Sequence, residues 1–521
     1  LFLDAEGYPM KHRLTLAGLI AGASMGVPML AVMALGQVVA GLPFAPYDLF
    51  GLLTRVLAGP LVVGGVEAMV SILQALRLGS TSVLGKFIEG GGAVLMALVG
   101  LALIGTLLGL LWPNLHNRSA RRFLPGVVAW VIMIPVGAWA GWSALGFGWV
   151  LILALAWSVA TDGILGHWET LGMAPVDSER RAFLGRVAAL ALATTVAGLG
   201  LSRLLRRAVP QEALAPIPAG PAANLAPSGP FAPVPGTRSE VTPISSFYRV
   251  DINIVPPSVE ASQWALEVAG EVDNPLTLSY AEITAMPSED FYATLECISN
   301  TVGGDLISTT RFTGVKLSDL LARAGLHPQV VEIRFDCVDG YSESLPLDSA
   351  LDPETRLCYG MGGAQLTQEH GYPARLYTPN RHGMKNPKWI QKIEAVTQPF
   401  AGYWEQQGWN KDAFVHTTSV IDASQSETGA VEAGGIAYAG ARGIQKVEVQ
   451  VDGGNWVLAE LKAPLSQLAW VLWRARVPAA PGPHVLTVRA VDGSGGLQTA
   501  TFADPFPNGA TGYDQAAARA D

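Results

Sequence analysis

Four runs of this chain are apolar for the thickness of a bilayer, and the pattern changes character after them. Leu14–Leu42, Gly91–Trp112, Leu124–Trp142 and Leu145–Ile164 are almost free of charge. Each reaches the ~20 residues that a helix needs to cross ~30 Å of hydrocarbon. Phe183–Ser202 predicts a fifth span, whereas Asp48–Leu76 is long enough but carries Arg55 and Glu67 and is broken by Pro60, Gly64 and Gly65. That segment reads as re-entrant or amphipathic.

From Ser246 the hydrophobic period shortens. "WALEVAGEV", "FYATLECIS", "VVEIRFDCVDGYSESLPL", "ARLYTPN" and "KWIQKIEAV" read as strands, and "SYAEITAM" and "KLSDLLARAG" as short helices, the second ended by Gly325. Strands and helices interleave irregularly, which predicts an α+β class. Farther on, "GGIAYAGARGIQKVEVQVDGGNWVLAEL" and "HVLTVRAVDGSGGLQ" alternate with Asp-Gly turns, the pattern of a β-sandwich. The expected organisation is a membrane domain over residues 1–207, an Ala/Pro-rich tether over 208–244, an α+β domain over 245–400, a β-sandwich over 401–505 and a tail over 506–521.

Basic residues set the orientation. If Asp48–Leu76 does not span, Lys11 and Arg13, Arg118, Arg121 and Arg122, and Arg180, Arg181 and Arg186 all fall on the cytoplasmic side, as the positive-inside rule requires. Five spans then deliver the second half outside; Arg203, Arg206 and Arg207 on the outer flank count against the scheme. Glu67 reads either as a surface charge on an amphipathic helix or as a proton or quinone contact.

Composition narrows the chemistry. A net charge of -9, from 43 acidic and 34 basic residues, leaves no basic footprint for nucleic acid. None of the eight histidines lies in the middle of a span, so paired-histidine haem ligation is not expected. Cys297, Cys337 and Cys358 all lie in the second half. Cys337 and Cys358 read as buried core thiols or as a disulfide pair.

One address-like feature stands mid-chain. "SERRAFLG" (178–185) before "RVAALALATTVAGLGL" resembles a twin-arginine export signal, giving a signal-like segment over 178–202. The other reading is an ordinary positive cytoplasmic flank. Export of an already folded domain would explain its position directly before the fifth span.

The strings "FYRVDINIVPP", "LECISNTVGGD", "RFTGVKLSDLL", "DGYSESLP", "EHGYPARLYTPNRHGMKNPKWIQKIE" and "GYWEQQGWN" occur in the order and spacing of the sulfite oxidase family of molybdopterin enzymes, which residues 245–505 resemble. The resemblance implies a sulfite-oxidase-type α+β molybdopterin-binding domain followed by an immunoglobulin-like β-sandwich that mediates dimerisation. It implies Cys297 as the thiolate ligand of molybdenum, a soft donor suited to such a metal. It implies Phe247, Tyr248, Arg249, Ser299, Asn300, His370, Arg375, Lys385 and Lys388 as contacts of the pterin and its phosphate. Tyr403 and Arg442 stand at the places of the family's active-site tyrosine and of an arginine brought to the site mouth. In "EHGYPAR", a Gly and a Pro between His370 and Arg375 predict a turn that aims both at one ligand.

Sulfite-oxidising members place arginines just after the cysteine motif, where this chain has Thr301-Val302-Gly303-Gly304-Asp305. That leaves a neutral acceptor such as a sulfoxide open beside sulfite. The expectation is a multi-pass enzyme of a bacterial or archaeal cell membrane, its catalytic domain extracytoplasmic, using molybdopterin and no haem. It would take a small-molecule substrate and exchange electrons with a separate cytochrome or quinone. The alternative is a non-catalytic sensor or assembly subunit that keeps the pterin-binding fold.

Overall fold

The computed structural model describes residues 10–57, 59–76, 80–171 and 231–521. The fifth predicted span, the twin-arginine-like segment and most of the predicted tether lie outside the described residues. The chain divides into two compact units: residues 1–57 with 87–213, and residues 58–86 with 214–521.

The first unit is helical. It contains α1 (Met10–Ala40), α2 (Ala45–Val56), most of α4 (Thr81–Leu111), α5 (Arg118–Trp139) and α6 (Ala144–Leu171). Four described helices are long and apolar enough to cross a membrane: Leu14–Ala40, Thr81–Asn114, Arg118–Trp139 and Ala144–Trp168. Small residues set the close approach of α1 and α4, since a Cβ on Gly18 or Gly22 would strike the backbone of Gly105 or Leu101. That backbone proximity is what packs the two helices closely. Asn117 caps α5 by accepting from the amides of Ser119 (2.9 Å) and Ala120 (3.2 Å).

The segment expected to be re-entrant or amphipathic forms two separate helices, α2 and α3 (Gly59–Leu76). They belong to different units, and α3 packs on the second half of the chain. One face of α3 buries Val63 and Val70, while Leu61, Ile72 and Leu76 stay exposed.

The second unit holds two five-stranded sheets and two four-stranded ones. Strands β1 (Ala265–Gly270), β2 (Leu276–Ser279), β5 (Glu332–Cys337), β6 (Ser342–Pro346) and β10 (Ile390–Val396) pair in the order β2-β1-β10-β5-β6. Strands β3 (Glu289–Glu296), β4 (Ile307–Lys316), β7 (Arg356–Met361) and β8 (Ala364–Gln365) form the second sheet, with β9 (Arg375–Tyr377) paired to β7. The helix Leu317–Ala324 turns its apolar stripe of Leu317, Leu320 and Leu321 into the core and stops at Gly325, whose φ of 71° suits glycine.

β3 and β4 are buried on both faces, and all of their threonines except Thr310, whose hydroxyl has no partner, are paired internally. Thr313 donates to Asp290 (2.6 Å), the hydroxyls of Thr294 and Thr309 meet, and the amide of Trp470 donates to the Thr294 hydroxyl (2.8 Å). Left unpaired, each such group would cost ~1–3 kcal/mol.

Strands β11 (Thr418–Glu427), β12 (Ala430–Tyr438), β15 (Glu460–Leu461) and β16 (Val471–Pro478) make one four-stranded sheet, and β13 (Ile444–Val451), β14 (Val457–Leu458), β17 (Gly482–Asp492) and β18 (Asp514–Ala520) the other. The two share a core that includes Val431, Val447, Trp473 and Val488.

Two expectations are corrected. The tail is not a tail, because β18 runs along β17 from Asp514 to Ala520, exposing every second residue and burying Ala520. The end of the tether is not loose either: Arg238 pairs with Asp422 at 2.7 Å, Trp470 donates to the Glu240 carbonyl at 2.8 Å, and Val234 is buried. Prolines in 231–244 removed the alternation by which a packed segment is usually recognised. The cysteine alternatives also resolve: Cys337 and Cys358 are free and buried, and burial pushes the Cys358 thiol up to about 12.

Candidate functional site

Cys297 directly follows β3, a strand whose two buried faces fix the backbone that carries it. Its amide donates to the Leu306 carbonyl (2.9 Å) and its carbonyl accepts from Asn300 (3.0 Å), so the thiol sits at the start of a tight turn. Its Sγ lies 3.0 Å from the Ser299 hydroxyl, and burial raises the thiol above its ordinary range while the Ser299 contacts oppose that rise. Asn300 holds the turn: it donates to Glu296 (3.1 Å) and accepts from the Leu306 amide (3.0 Å).

Gly383 closes one side of the site. A Cβ there would stand 2.6 Å from the Tyr248 hydroxyl and 3.8 Å from the Cys297 Cα. Tyr248 is half-buried beside Cys297, and Phe247 stacks on it with centroids 5.6 Å apart. Phe247 also meets the edge of His370 at 5.4 Å.

Across the turn, Arg375 Nη1 donates to the backbone carbonyl of His370 at 3.2 Å. Gly371, at φ 106°, makes it feasible, since a Cβ there would press on the Cβ atoms of Lys388 (3.0 Å) and Arg375 (3.1 Å). Burial, then Lys388 and Arg375, hold His370 down at about 3, so it is neutral. Lys388 is lowered to about 8 by burial, against the pull of Asp251.

Cations gather here around one carboxylate. Arg249 (2.7 Å), Lys388 (3.0 Å) and Lys86 (3.3 Å) all pair with Asp251. Burial alone would raise that carboxyl, but Lys388, Lys86 and Arg249 hold it well below the usual carboxylate range. Arg375 has no carboxylate partner among the described residues, is 5% exposed, and its Nε is buried without an acceptor. A buried guanidinium in that state lacks an anion, and a phosphate group has the geometry to supply it.

Other predicted residues are committed elsewhere. All three donors of Lys385 are occupied, by Glu343 (2.7 Å), the Ser344 carbonyl (3.1 Å) and Glu405. Tyr403 packs on Tyr341 and Trp404. Arg442 pairs with Asp492 (3.0 Å) and donates to the Val415 carbonyl (3.1 Å).

Two residues near Cys297 escaped the sequence reading. His382 is buried, its Nδ1 is 3.4 Å from the Glu296 carbonyl and its Nε2 has no partner; burial, then His416, lowers it to about 3. Glu296 is pushed up to about 7 by burial. The signal for His382 was the glycine after it, which lets the "RHG" backbone approach the cysteine. Glu296 left no signal, because a strand normally turns neighbours to opposite faces and here both faces are closed.

A polar chamber of about 260 Å³ adjoins the site, lined by Glu67, Val70, Ser71, Ser299, Thr301 and Asp504 among others. Among the described residues no three metal-ligating side chains converge. Two buried side-chain atoms without partners remain around the site, a donor at Arg375 Nε and, since Nδ1 of neutral His382 faces a carbonyl, an acceptor at His382 Nε2.

Residues 253–404 match the oxidoreductase molybdopterin binding domain and residues 397–503 the Mo-co oxidoreductase dimerisation domain. The chain is 28% identical over 321 residues to mitochondrial sulfite oxidase of Rattus norvegicus, covering 51% of this chain and 59% of that protein. It is 27% identical over 326 residues to sulfite oxidase of Arabidopsis thaliana, covering 50% and 82%. It is also 32% identical over 152 residues to the "Putative protein-methionine-sulfoxide reductase subunit YedZ1" of Azospira oryzae, covering 29% and 56%. The match thus spans about three-fifths of the rat relative's length.

Proposed function

We propose, for a chain that belongs to the sulfite oxidase family of molybdopterin-dependent oxidoreductases, that Cys297 ligates molybdenum and that the enzyme transfers an oxygen atom and two electrons there. The observation that carries the reading is a buried thiol beside a cluster of cations in which Arg375 has no anion. When bound, the cofactor supplies the redox chemistry. The chain's residues hold and tune it: metal coordination would take the proton that burial keeps on Cys297, and the Ser299 hydroxyl would donate to the resulting thiolate. Arg375, Lys388 and Arg249 would receive the phosphate, neutral His370 the pterin edge, and Phe247 and Tyr248 would form an apolar wall.

A neutral sulfoxide is the substrate class we favour, because residues 301–305 carry no cation and Asp305 accepts from the Thr81 amide at 2.8 Å. Sulfite is the second reading, supported by the names of the rat and plant relatives. Electrons would come from a separate cytochrome or quinone. The two four-stranded sheets fit an immunoglobulin-like dimerisation domain, and the match at 397–503 supports a homodimer.

Purified full-length chain is expected to carry about one molybdenum per chain and to turn over dimethyl sulfoxide or methionine sulfoxide with a quinol or reduced dye. A metal-free chain inactive toward sulfoxides and sulfite alike would leave the sensor or assembly reading.

The enzyme would work on the extracytoplasmic face of a bacterial or archaeal membrane, for which the distribution of arginines and the apolar outer face of α3 (Leu61, Ile72, Leu76) speak. Arg180→Lys with Arg181→Lys is expected to leave the molybdenum domain on the cytoplasmic side, protected from protease added to spheroplasts. Normal export of that double variant would reduce "SERRAFLG" to a positive flank.

A further inference from the structure

The helix α3 comes from the N-terminal half of the sequence, yet it is built into the wall around Cys297. Val70 packs in one cluster with Cys297 and Leu306, and Val63 in another with Ile298 and Met384. The Thr301 hydroxyl donates to the Gln74 side chain, and Gln74 Nε2 lies 3.4 Å from Asn300 Oδ1. Lys86, at the start of α4, donates to the carbonyls of Asp251 (2.8 Å) and Asn253 (3.1 Å). These contacts hold residues 59–76 and 80–86 over the turn that carries the thiol.

The chamber of about 260 Å³ lies between this helix and that turn. It touches the thiol's surroundings twice, because Ser299 lines it and stands 3.0 Å from Sγ, and Val70 lines it and packs with Cys297. Its charged lining is Glu67 and Asp504; no lysine or arginine lines it among the described residues. Glu67 Oε1 is buried and accepts no hydrogen bond, and among the described residues the one protein donor to the carboxylate is the Phe506 backbone amide.

We propose that α3 is the lid of the molybdenum site and that Glu67 is its specificity-determining residue, turning oxyanions away and admitting neutral or cationic oxygen carriers. This rests on the oxygen-transfer reading above and assigns the sulfoxide preference to a residue of the membrane half. A carboxylate a few ångströms from an anion in a partly buried chamber repels it by more than 1 kcal/mol, enough to move a binding constant about tenfold.

The test uses the full-length chain in detergent and two variants, Glu67→Gln and Glu67→Lys. Glu67→Gln is expected to raise kcat/KM for sulfite about tenfold while changing that for dimethyl sulfoxide less than about twofold, and Glu67→Lys is expected to go further in the same direction. Sodium sulfate, which does not react, gives a second readout: its calorimetric affinity is expected to rise about tenfold in Glu67→Gln. Unchanged sulfate affinity in both variants overturns the proposal, with or without bound molybdenum. Equal loss of both activities in molybdenum-loaded variants overturns it too, since Glu67 would then serve the reaction rather than select for it. A wild-type chain lacking molybdenum and both activities would sink the oxygen-transfer reading, while the sulfate titration still decides the role of Glu67.

Discussion

Cys297→Ser is expected to fold like the wild type and to lose activity by more than about 100-fold, beyond the upper end of what removing a mere support of a metal ligand costs. Serine nearly matches cysteine in size, so the turn held by Leu306 and Asn300 survives and the unfolding midpoint moves by only a few degrees. On the proposed ligation the chemistry would not survive, because a hydroxyl is a hard, protonated donor in place of a soft thiolate. Molybdenum measured by mass spectrometry on the purified variant, set beside its thermal unfolding, checks both halves. A variant with wild-type metal content and turnover would remove Cys297 from the metal.

Lys385→Met should fail in the opposite way, by stability. Its ammonium lies fully buried between Glu343, which is also fully buried, and Glu405, whose side chain is 5% exposed. Removing the cation leaves two carboxylates facing each other without water, a loss on the order of 3–5 kcal/mol. The pH dependence has a definite sign. Burial, then Glu405, already push the Glu343 carboxyl above its ordinary range against the pull of Lys385, and without the lysine it rises further. A folded-state pKa above the unfolded one makes stability fall as pH rises above the unfolded value. The deficit of Lys385→Met should therefore be largest near pH 8 and shrink toward pH 5. Thermal unfolding followed by tryptophan fluorescence at both pH values measures it. If Lys385 instead holds the cofactor, the variant would lose molybdenum while unfolding at the wild-type midpoint.

These two outcomes separate residues that the sequence presents alike. Cys297 and Lys385 both stand in strings that resemble the same family, and only packing distinguishes a thiol at a cavity from an ammonium sealed among carboxylates. Strands such as Ala265–Gly270 and Ile390–Val396 and the helix ended by Gly325 were legible because alternation, helical period and a glycine stop are local signals. The last strand was not, since "DQAAARA" is alanine-rich and its partner β17 is distant in sequence. The turn between His370 and Arg375 was legible because a glycine and a proline stand within it. The commitments of Arg442 to Asp492 and of Lys385 to Glu343 and Glu405 were not, because each joins positions that share no pattern.

The place of α3 also imposes an order in time. Residues 59–86 are synthesised early, with the spans, whereas Asp251, Asn300 and Thr301, to which Lys86 and Gln74 bind, come from a domain made afterwards. Until that domain arrives, Val63 and Val70 have nothing to pack against. The wall around Cys297 therefore closes only when an early and a late part of the chain meet.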